Sequence, residues 1–402
     1  MNIYERFGVK PIINAAGMMT RLGSALMEQE VLDAMNEAAK ESARLDELQA
    51  AASKIISEIT HAEAGMVTAG AAAALTLGTA ACITGFDIAR MNRLPDTTGL
   101  PNEVLMARHQ VSGYDHAIKA AGAKIVDVGI PNDTTPPGEV HLATIYDFKS
   151  AITEHTVAIA YAPRPGSSPP LEQVIALGRN YNIPVILDAA AQVPPVENLH
   201  KFIDIGADLV AFSGGKGIRG PQASGILCGR CNLVAAAVLQ NLDMAGDSFD
   251  KWDPPSFLIP KEKLRGKPQH GIGRGMKVSK ETIVGLLVAL QNFSEEKFVK
   301  KAEHLRLLLE GIAVRFEGVY GVEARTTEDY PRGYSMLEVK IDKAKLGRSA
   351  TDVVLRLKNG VPPIYTRERY LQKGLVIIHS VNLDEETARI VGQNLYMAVT
   401  GK

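Results

Sequence analysis

Three short stretches of the chain combine residue types that can do chemistry together. The apolar run Val185-Ile186-Leu187 ends on Asp188. A carboxylate closing a buried strand is costly unless it meets a cation or a ligand, although the three alanines that follow let Asp188 serve equally as a helix cap. Downstream, Asp208-Leu-Val-Ala-Phe-Ser213-Gly-Gly-Lys216-Gly sets a lysine in a glycine-rich turn after a second apolar run. A partly desolvated ammonium there can lose its proton and act as a nucleophile; a surface lysine in a flexible turn would read the same way. The third stretch, Thr68-Ala69-Gly70-Ala71-Ala72-Ala73, is a strand-to-helix turn. Its small side chains let backbone N–H groups close around a phosphate, and a tightly packed helix explains the alanines equally well. Neither G-x-G-x-x-G nor G-K-[ST] occurs here, so no dinucleotide or nucleoside triphosphate site is signalled.

Jointly the three suit one cofactor, pyridoxal 5′-phosphate. The turn takes the phosphate, the carboxylate keeps the pyridine nitrogen protonated, and the lysine of Ser213-x-x-Lys216 forms the Schiff base. This order resembles the fold type I pyridoxal-phosphate enzymes. Further motifs narrow the likeness to their selenocysteine-synthase-like branch: Asn14-Ala-Ala-Gly17-Met-Met-Thr20-Arg-Leu22-Gly23, Tyr114-Asp-His-Ala-Ile-Lys-Ala-Ala-Gly122-Ala, Phe212-Ser-Gly-Gly-Lys216 with Gly220-Pro221-Gln222, Arg274-Gly-Met-Lys277-Val and Pro362-Pro-Ile-Tyr-Thr-Arg367. The resemblance spans nearly the whole chain. It is nearest to the members that do not act on tRNA, of the D-glucosaminate-6-phosphate ammonia-lyase type. Two departures separate the chain from the bacterial selenocysteine synthase. Thirteen residues precede Asn14 where that enzyme carries a tRNA-binding domain, and Ile377-Ile378-His379-Ser380 stands where its C-terminal strand carries Asp-x-Arg.

The resemblance implies a role for each residue. Lys216 is the Schiff-base lysine and the base at Cα, and Asp188 pairs with the pyridine nitrogen. Ser213 holds the phosphate with the backbone of Ala69, Gly70 and Ala71. His109 or Gln110, just beyond the run Glu103–Ala107, stands where the superfamily stacks a side chain on the ring; a plain loop histidine remains an alternative. Arg274 and Arg367 are candidates for a substrate carboxylate or phosphate, which guanidinium groups bind bidentately. Arg274 could instead reach the cofactor phosphate of a neighbouring subunit, and a surface salt bridge is the other reading of either arginine. Arg21 and Arg219 are weaker candidates. The implied reaction is α,β-elimination with ammonia release from a small hydroxy amino acid or a phosphorylated amino-sugar acid. An aldolase, racemase or aminotransferase needs the same lysine and aspartate. A tRNA-linked selenium transferase would need a basic face, and an idle scaffold would be expected to have lost Lys216 or Asp188.

The elements that must position these residues follow from composition and pattern. The chain has 402 residues, 46% hydrophobic and 22% charged, with 44 Lys and Arg against 45 Asp and Glu. It can bury a large core without disulfides, and its net charge of −1 offers no global field for nucleic acid or anionic lipid. Seven apolar runs (Gly65–Thr68, Glu103–Ala107, Lys124–Val128, Val157–Tyr161, Val185–Leu187, Leu209–Phe212, Gly225–Cys228) alternate with helical patterns such as Tyr114–Ala121, Ile145–Ile152 and Leu171–Tyr181. This alternation predicts an α/β fold: a mostly parallel seven-stranded sheet with helices on both faces, the architecture of fold type I pyridoxal-phosphate enzymes. A proline-rich stretch, Gln240–Met276, reads as a long functional or mobile loop. One helix is expected from about Ser279 through Lys301 and beyond. A smaller α+β domain then carries a strand at Tyr334–Ile341, a helix at Ala350–Lys358, a strand at Gly374–His379 and a helix at Glu385–Val399. The expected division is an N-terminal segment 1–50, a large cofactor-binding domain 51–290 and a small C-terminal domain 291–402.

The uncharged stretch Ala64–Phe86 is long enough to span a bilayer, but its Ala, Gly and Thr insert poorly, so it reads as a packed helix in a soluble domain. Three cysteines point to a reducing compartment. Cys228-x-x-Cys231 lacks the second ligand pair that zinc needs nearby, so no metal is expected there. The N-terminus MNIYERFGVKP has no apolar core of a signal peptide. The expected setting is a cytoplasmic homo-oligomer, dimeric or larger, that acts on a small amino-acid substrate without nucleic-acid or membrane partners.

Overall fold

The computed structural model describes residues 2–129, 142–244, 248–329 and 332–401. The chain divides into two compact units. One comprises residues 27–193 and 197–292; the other gathers 1–26, 194–196 and 293–402. The first boundary between them falls after residue 26, within the N-terminal segment 1–50.

The first strand, β1 (Ile13–Ala15), belongs to the smaller unit. The next seven build the larger one: β2 (Ala64–Thr68), β3 (Glu103–Ala107), β4 (Lys124–Val128), β5 (Thr156–Tyr161), β6 (Val185–Asp188), β7 (Leu209–Ser213) and β8 (Gly225–Gly229). Among the described residues they form one sheet of seven strands in the order β2-β8-β7-β6-β5-β3-β4. Only β8 runs against its neighbours.

Alternation along each strand loads both faces. Met66, Val104, Met106, Ala160, Ile186, Leu209 and Leu227 enter one buried cluster with the helices Ala71–Thr84 and Cys231–Asn241. The intervening residues, among them Leu105, Ile159, Leu187 and Val210, are buried on the other side. There Phe212 meets Phe202 of the helix Asn198–Ile205 with ring centroids 6.4 Å apart. Strands apolar on both faces need cover on both, and each buried aliphatic side chain contributes about 1.5–3 kcal/mol. The helix Ala71–Thr84 is buried over nearly its whole length, so the uncharged stretch of the sequence is a core strand followed by a core helix. Among the described residues no helix is long and apolar enough to cross a membrane.

Three local expectations change. The helix predicted from Ser279 onward is two helices, Lys280–Asn292 and Glu295–Ala313. Ser294 interrupts them because its hydroxyl accepts from the Lys297 N–H and caps the second. The pattern at Tyr114–Ala121 is a 3₁₀ turn, Gly113–Asp115, followed by a short helix, His116–Ala120. The proline-rich stretch is packed rather than loose: Trp252, Leu258, Ile259 and Leu264 are buried in the main core. Its residues 245–247 lie outside the described set.

The smaller unit carries β9 (Val322–Asp329), β10 (Tyr334–Ile341), β11 (Ile364–Thr366) and β12 (Leu375–His379). An antiparallel sheet runs β12-β10-β9, and β1 pairs in parallel with β11. That pairing attaches the N-terminal residues to the C-terminal ones. The core here is Ile13, Leu309, Leu337, Val339, Val353, Ile364, Val376 and Ile378 with Leu395.

Candidate active site

In the larger unit, sheet register brings the sequence motifs to one edge. Gly225 at the start of β8 is paired with Thr68 on one side and Ser213 on the other. One strand over, Asp188 closes β6 opposite Ala211. This is the carboxyl edge of the parallel strands, where open α/β sheets bind ligands.

The turn after Thr68 is shaped for close approach. Gly70 precedes the helix Ala71–Thr84 at φ +94°, with no side-chain cap on the helix N–H groups. Thr68 donates from Oγ1 to the Gly70 carbonyl at 2.9 Å, which pins the turn. A Cβ on Gly225 would lie 2.5 Å from the Gly70 carbonyl carbon and 2.7 Å from the Ala71 nitrogen, so only glycine lets β8 pass beneath the helix start. A Cβ on Gly70 would meet open space. The result is a bare helix N-terminus, with a positive dipole end and uncapped donors, beside the Ser213 hydroxyl.

Lys216, half-buried, follows in a tight loop. Gly214 N–H donates to Ser224 O and Gly220 N–H to Gly214 O, each at 2.9 Å, while Ser224 donates from Oγ to Pro221 O at 2.6 Å. Arg219 adopts φ +62° within this loop and pairs with Glu28 at 2.9 Å. Asp188 is half-buried, and its Oδ1 accepts from the Ala190 N–H at 3.1 Å. It borders a small cleft that also touches Ser112, Tyr114 and Tyr161.

The two candidates beyond β3 differ in their commitments. Gln110, 1% exposed, accepts through Oε1 from the Ala162 N–H at 2.9 Å and so ties the loop to the end of β5. Both ring nitrogens of His109 are buried without a hydrogen-bond partner, as is Gln110 Nε2. Burial pushes the His109 pKa down, and the Arg164 charge adds to that effect, which favours the neutral ring. Buried polar atoms normally have partners. These orphans, the uncapped helix start and a strand-end carboxylate fit a planar, phosphorylated group with a protonated ring nitrogen. The residues present therefore fit pyridoxal 5′-phosphate.

Arg274 lies on a 3₁₀ turn, Ile272–Met276, and pairs with Asp243 at 2.9 Å. The cysteines of the C-x-x-C part company: Cys228 is buried on β8, and Cys231 opens the next helix. Burial pushes the thiols of Cys82 and Cys228 up to about 12, too high for a reactive thiolate.

Arg367 belongs to the smaller unit, where the sequence reading missed its surroundings. Its Nη2 lies 3.7 Å from Asp329 Oδ2 and its Nη1 lies 3.4 Å from Met336 Sδ. The same Asp329 oxygen is 3.1 Å from Arg332 Nη1 and 3.2 Å from His379 Nε2. His379 is fully buried and accepts at Nδ1 from the Val381 N–H, which leaves the proton on Nε2 facing Asp329. Burial works to raise the Asp329 pKa, but the His379 hydrogen bond and the charges of Arg367 and Arg332 outweigh it and hold the carboxyl well below its usual range. Burial lowers the His379 pKa against the pull of Asp329. Gly17, at φ +94°, makes room for this ring: a Cβ there would sit 2.9 Å from His379 Cδ2. Asn14 shapes the same turn, donating to Gly17 O and accepting from the Ala16 N–H, both at 3.1 Å. The signal was present as the Ile-x-His that replaces Asp-x-Arg, but its acidic partner is distant in sequence. Arg21 is exposed on a 3₁₀ turn.

Comparison with known proteins gives this geometry its family. Residues 114–273 match the class-V aminotransferase family model. The chain is 31% identical to the D-glucosaminate-6-phosphate ammonia lyase of Salmonella typhimurium, over 98% of this chain and 96% of that one. A solved structure of D-glucosaminate-6-phosphate ammonia-lyase superposes with a TM-score of 0.80 at 28% identity, covering 100% of this chain and 99% of the other. The chain belongs to the fold type I pyridoxal-phosphate enzymes, in their selenocysteine-synthase-like branch. It is an enzyme, and its cofactor is pyridoxal 5′-phosphate. A second relative in this family, the 5′-C-glycyluridine monooxygenase-decarboxylase of a Streptomyces species, is also 31% identical, over 92% of this chain and 85% of that protein. Family membership thus fixes the cofactor, whereas the activities of these two equally similar relatives differ.

Proposed function

We propose that this protein is a pyridoxal-phosphate-dependent ammonia-lyase, which eliminates the β-hydroxyl of a small hydroxy amino acid or a phosphorylated amino-sugar acid and releases ammonia and a 2-oxo acid. The observation that carries the reading is the end-to-end likeness to an ammonia lyase, in sequence and fold together. When bound, the cofactor withdraws electrons from the substrate Cα through its ring. Lys216 anchors the cofactor and moves the Cα proton. Asp188 keeps the pyridine nitrogen protonated. The Ser213 hydroxyl and the backbone of Ala69, Gly70 and Ala71 hold the phosphate. His109 is assigned to the ring face, because Gln110 is already committed to Ala162.

Arg367 is assigned to the substrate α-carboxylate: its closest acidic partner is 3.7 Å away, beyond hydrogen-bond distance, so the guanidinium retains donor capacity. Arg274 is assigned to a distal phosphate, of the substrate or of a neighbouring subunit's cofactor, which would take the place of Asp243. The enzyme works as a cytoplasmic homo-oligomer, dimeric or larger, with free thiols.

The test is to incubate the holoenzyme with D-glucosaminate 6-phosphate and with the stereoisomers of serine and threonine, without any amino acceptor. Ammonia and 2-oxo acid in equal amounts support the lyase. Turnover that requires an added keto acid makes it an aminotransferase. Oxygen uptake with carbon dioxide release would instead match a monooxygenase-decarboxylase, as the Streptomyces relative is named.

A further inference from the structure

Outside the cofactor site, one side-chain cluster has the composition and spacing of a metal centre. His200 and Asp204 are four residues apart on the helix Asn198–Ile205, which puts both on one face. The third member, His61, comes from the end of the helix Leu45–Thr60, where it terminates that helix at φ +58°. The left-handed turn there aims the ring at the neighbouring helix.

Asp204 faces both imidazoles. Its Oδ1 lies 2.9 Å from His61 Nδ1, and its Oδ2 lies 2.7 Å from His200 Nδ1. The two rings stack with centroids 4.5 Å apart and planes 30° from parallel. One ligand atom from each of the three residues falls within 4.8 Å of the others. Ligand atoms around a tetrahedral zinc with bonds of about 2.0–2.1 Å stand about 3.3 Å apart. The two short nitrogen–oxygen contacts engage different oxygens of Asp204, so rotation of the exposed His61 ring, the half-buried His200 ring and the carboxylate has to exchange these hydrogen bonds for metal bonds.

From this geometry we infer that His61, His200 and Asp204 form a surface site for a divalent transition ion, zinc being the ion such a set of two imidazoles and a carboxylate suits. Water completes the coordination on the solvent side. The ion joins the end of one helix to the face of another within the larger unit, and it acts on stability, because binding only the folded state raises its midpoint. Oxygen-seeking magnesium and calcium are poor matches to two nitrogen ligands.

The test uses the holoenzyme, treated with a chelator and then titrated with zinc chloride against a competing indicator. The expected result is about one tight zinc site per chain, with a thermal midpoint that rises on zinc addition. In the double variant H61N/H200Q the affinity falls about tenfold or more and the midpoint no longer responds. Asparagine tolerates the left-handed backbone at position 61, and H200Q alone provides a second variant that leaves that turn untouched. Equal zinc uptake by wild type and variants, or no saturable uptake by wild type, would overturn the assignment and leave a carboxylate-bridged histidine pair.

Discussion

Two places in the molecule, one in each unit, handle buried polar groups in opposite ways. At the carboxyl edge of the seven-stranded sheet the donors and acceptors are left over: His109 has two unpartnered ring nitrogens, Gln110 one unpartnered amide nitrogen, and the helix Ala71–Thr84 no side-chain cap. In the smaller unit, Asp329 gathers His379, Arg332 and Arg367 around a single carboxylate oxygen. An unmet buried polar atom costs roughly 1–3 kcal/mol, a cost that a bound group offsets when it supplies the missing partners. A carboxylate with three partners has the opposite effect, fixing the rotamers of the groups around it. The first pattern suits the cofactor position proposed above, and the second suits the proposed role of Arg367 as a group held in place before substrate binds.

This contrast can be broken at either end. The largest effect is expected at the unsatisfied edge. Lys216→Ala should abolish the absorption band of bound cofactor, leave no lysine-linked cofactor after borohydride reduction, and cut turnover by about 10²–10⁴-fold or more. Peptide mapping that placed the reduced cofactor on another lysine would remove the assignment. Asp188→Asn should retain the cofactor but lose most of the activity, as followed by ammonia release.

Next comes the preset arginine. Arg367→Ala should weaken substrate binding by about 1.5–3 kcal/mol, the range for hydrogen bonds to charged groups, with cofactor content unchanged. A KM equal to that of wild type would confine Arg367 to a structural ion pair. A comparable effect is expected from Gly225→Ala. The added methyl meets the Gly70 and Ala71 backbone at 2.5–2.7 Å, so overpacking should cost about 1–3 kcal/mol and loosen the phosphate end. Cofactor dissociation followed by absorbance reads this directly.

The smallest effect is the pH response of the saturated cluster. His379 has a folded pKa below its ordinary value, so the unfolded chain binds the proton more readily. Its contribution is whole above about pH 6.5 and is lost as pH falls below that. Asp329, likewise depressed, adds its loss only at more acidic pH, below the ordinary carboxylate value of about 3.9. Urea midpoints measured at pH 7 and pH 5 should therefore fall in wild type and fall less in His379→Asn. An equal fall in both would place the acid response elsewhere.

The sequence by itself determined the strands of the larger unit and singled out the residues proposed for its chemistry. The seven apolar runs are the seven strands, because buried parallel strands must be apolar on both faces and break only at turns. Asp188 and Lys216 stood out for the same reason: a carboxylate and an amine at strand ends violate that pattern. Tertiary structure alone decided the rest. Gln110 and His109 are adjacent and similarly polar, and only the distant Ala162 N–H commits one and leaves the other open. Arg367 gained its setting from Asp329 and His379, which the antiparallel sheet brings to it. His61 meets Asp204 only because two helices pack side by side. Local sequence records propensity and polarity over a few residues, while a hydrogen bond between residues tens to hundreds of positions apart exists only once the chain between them has folded.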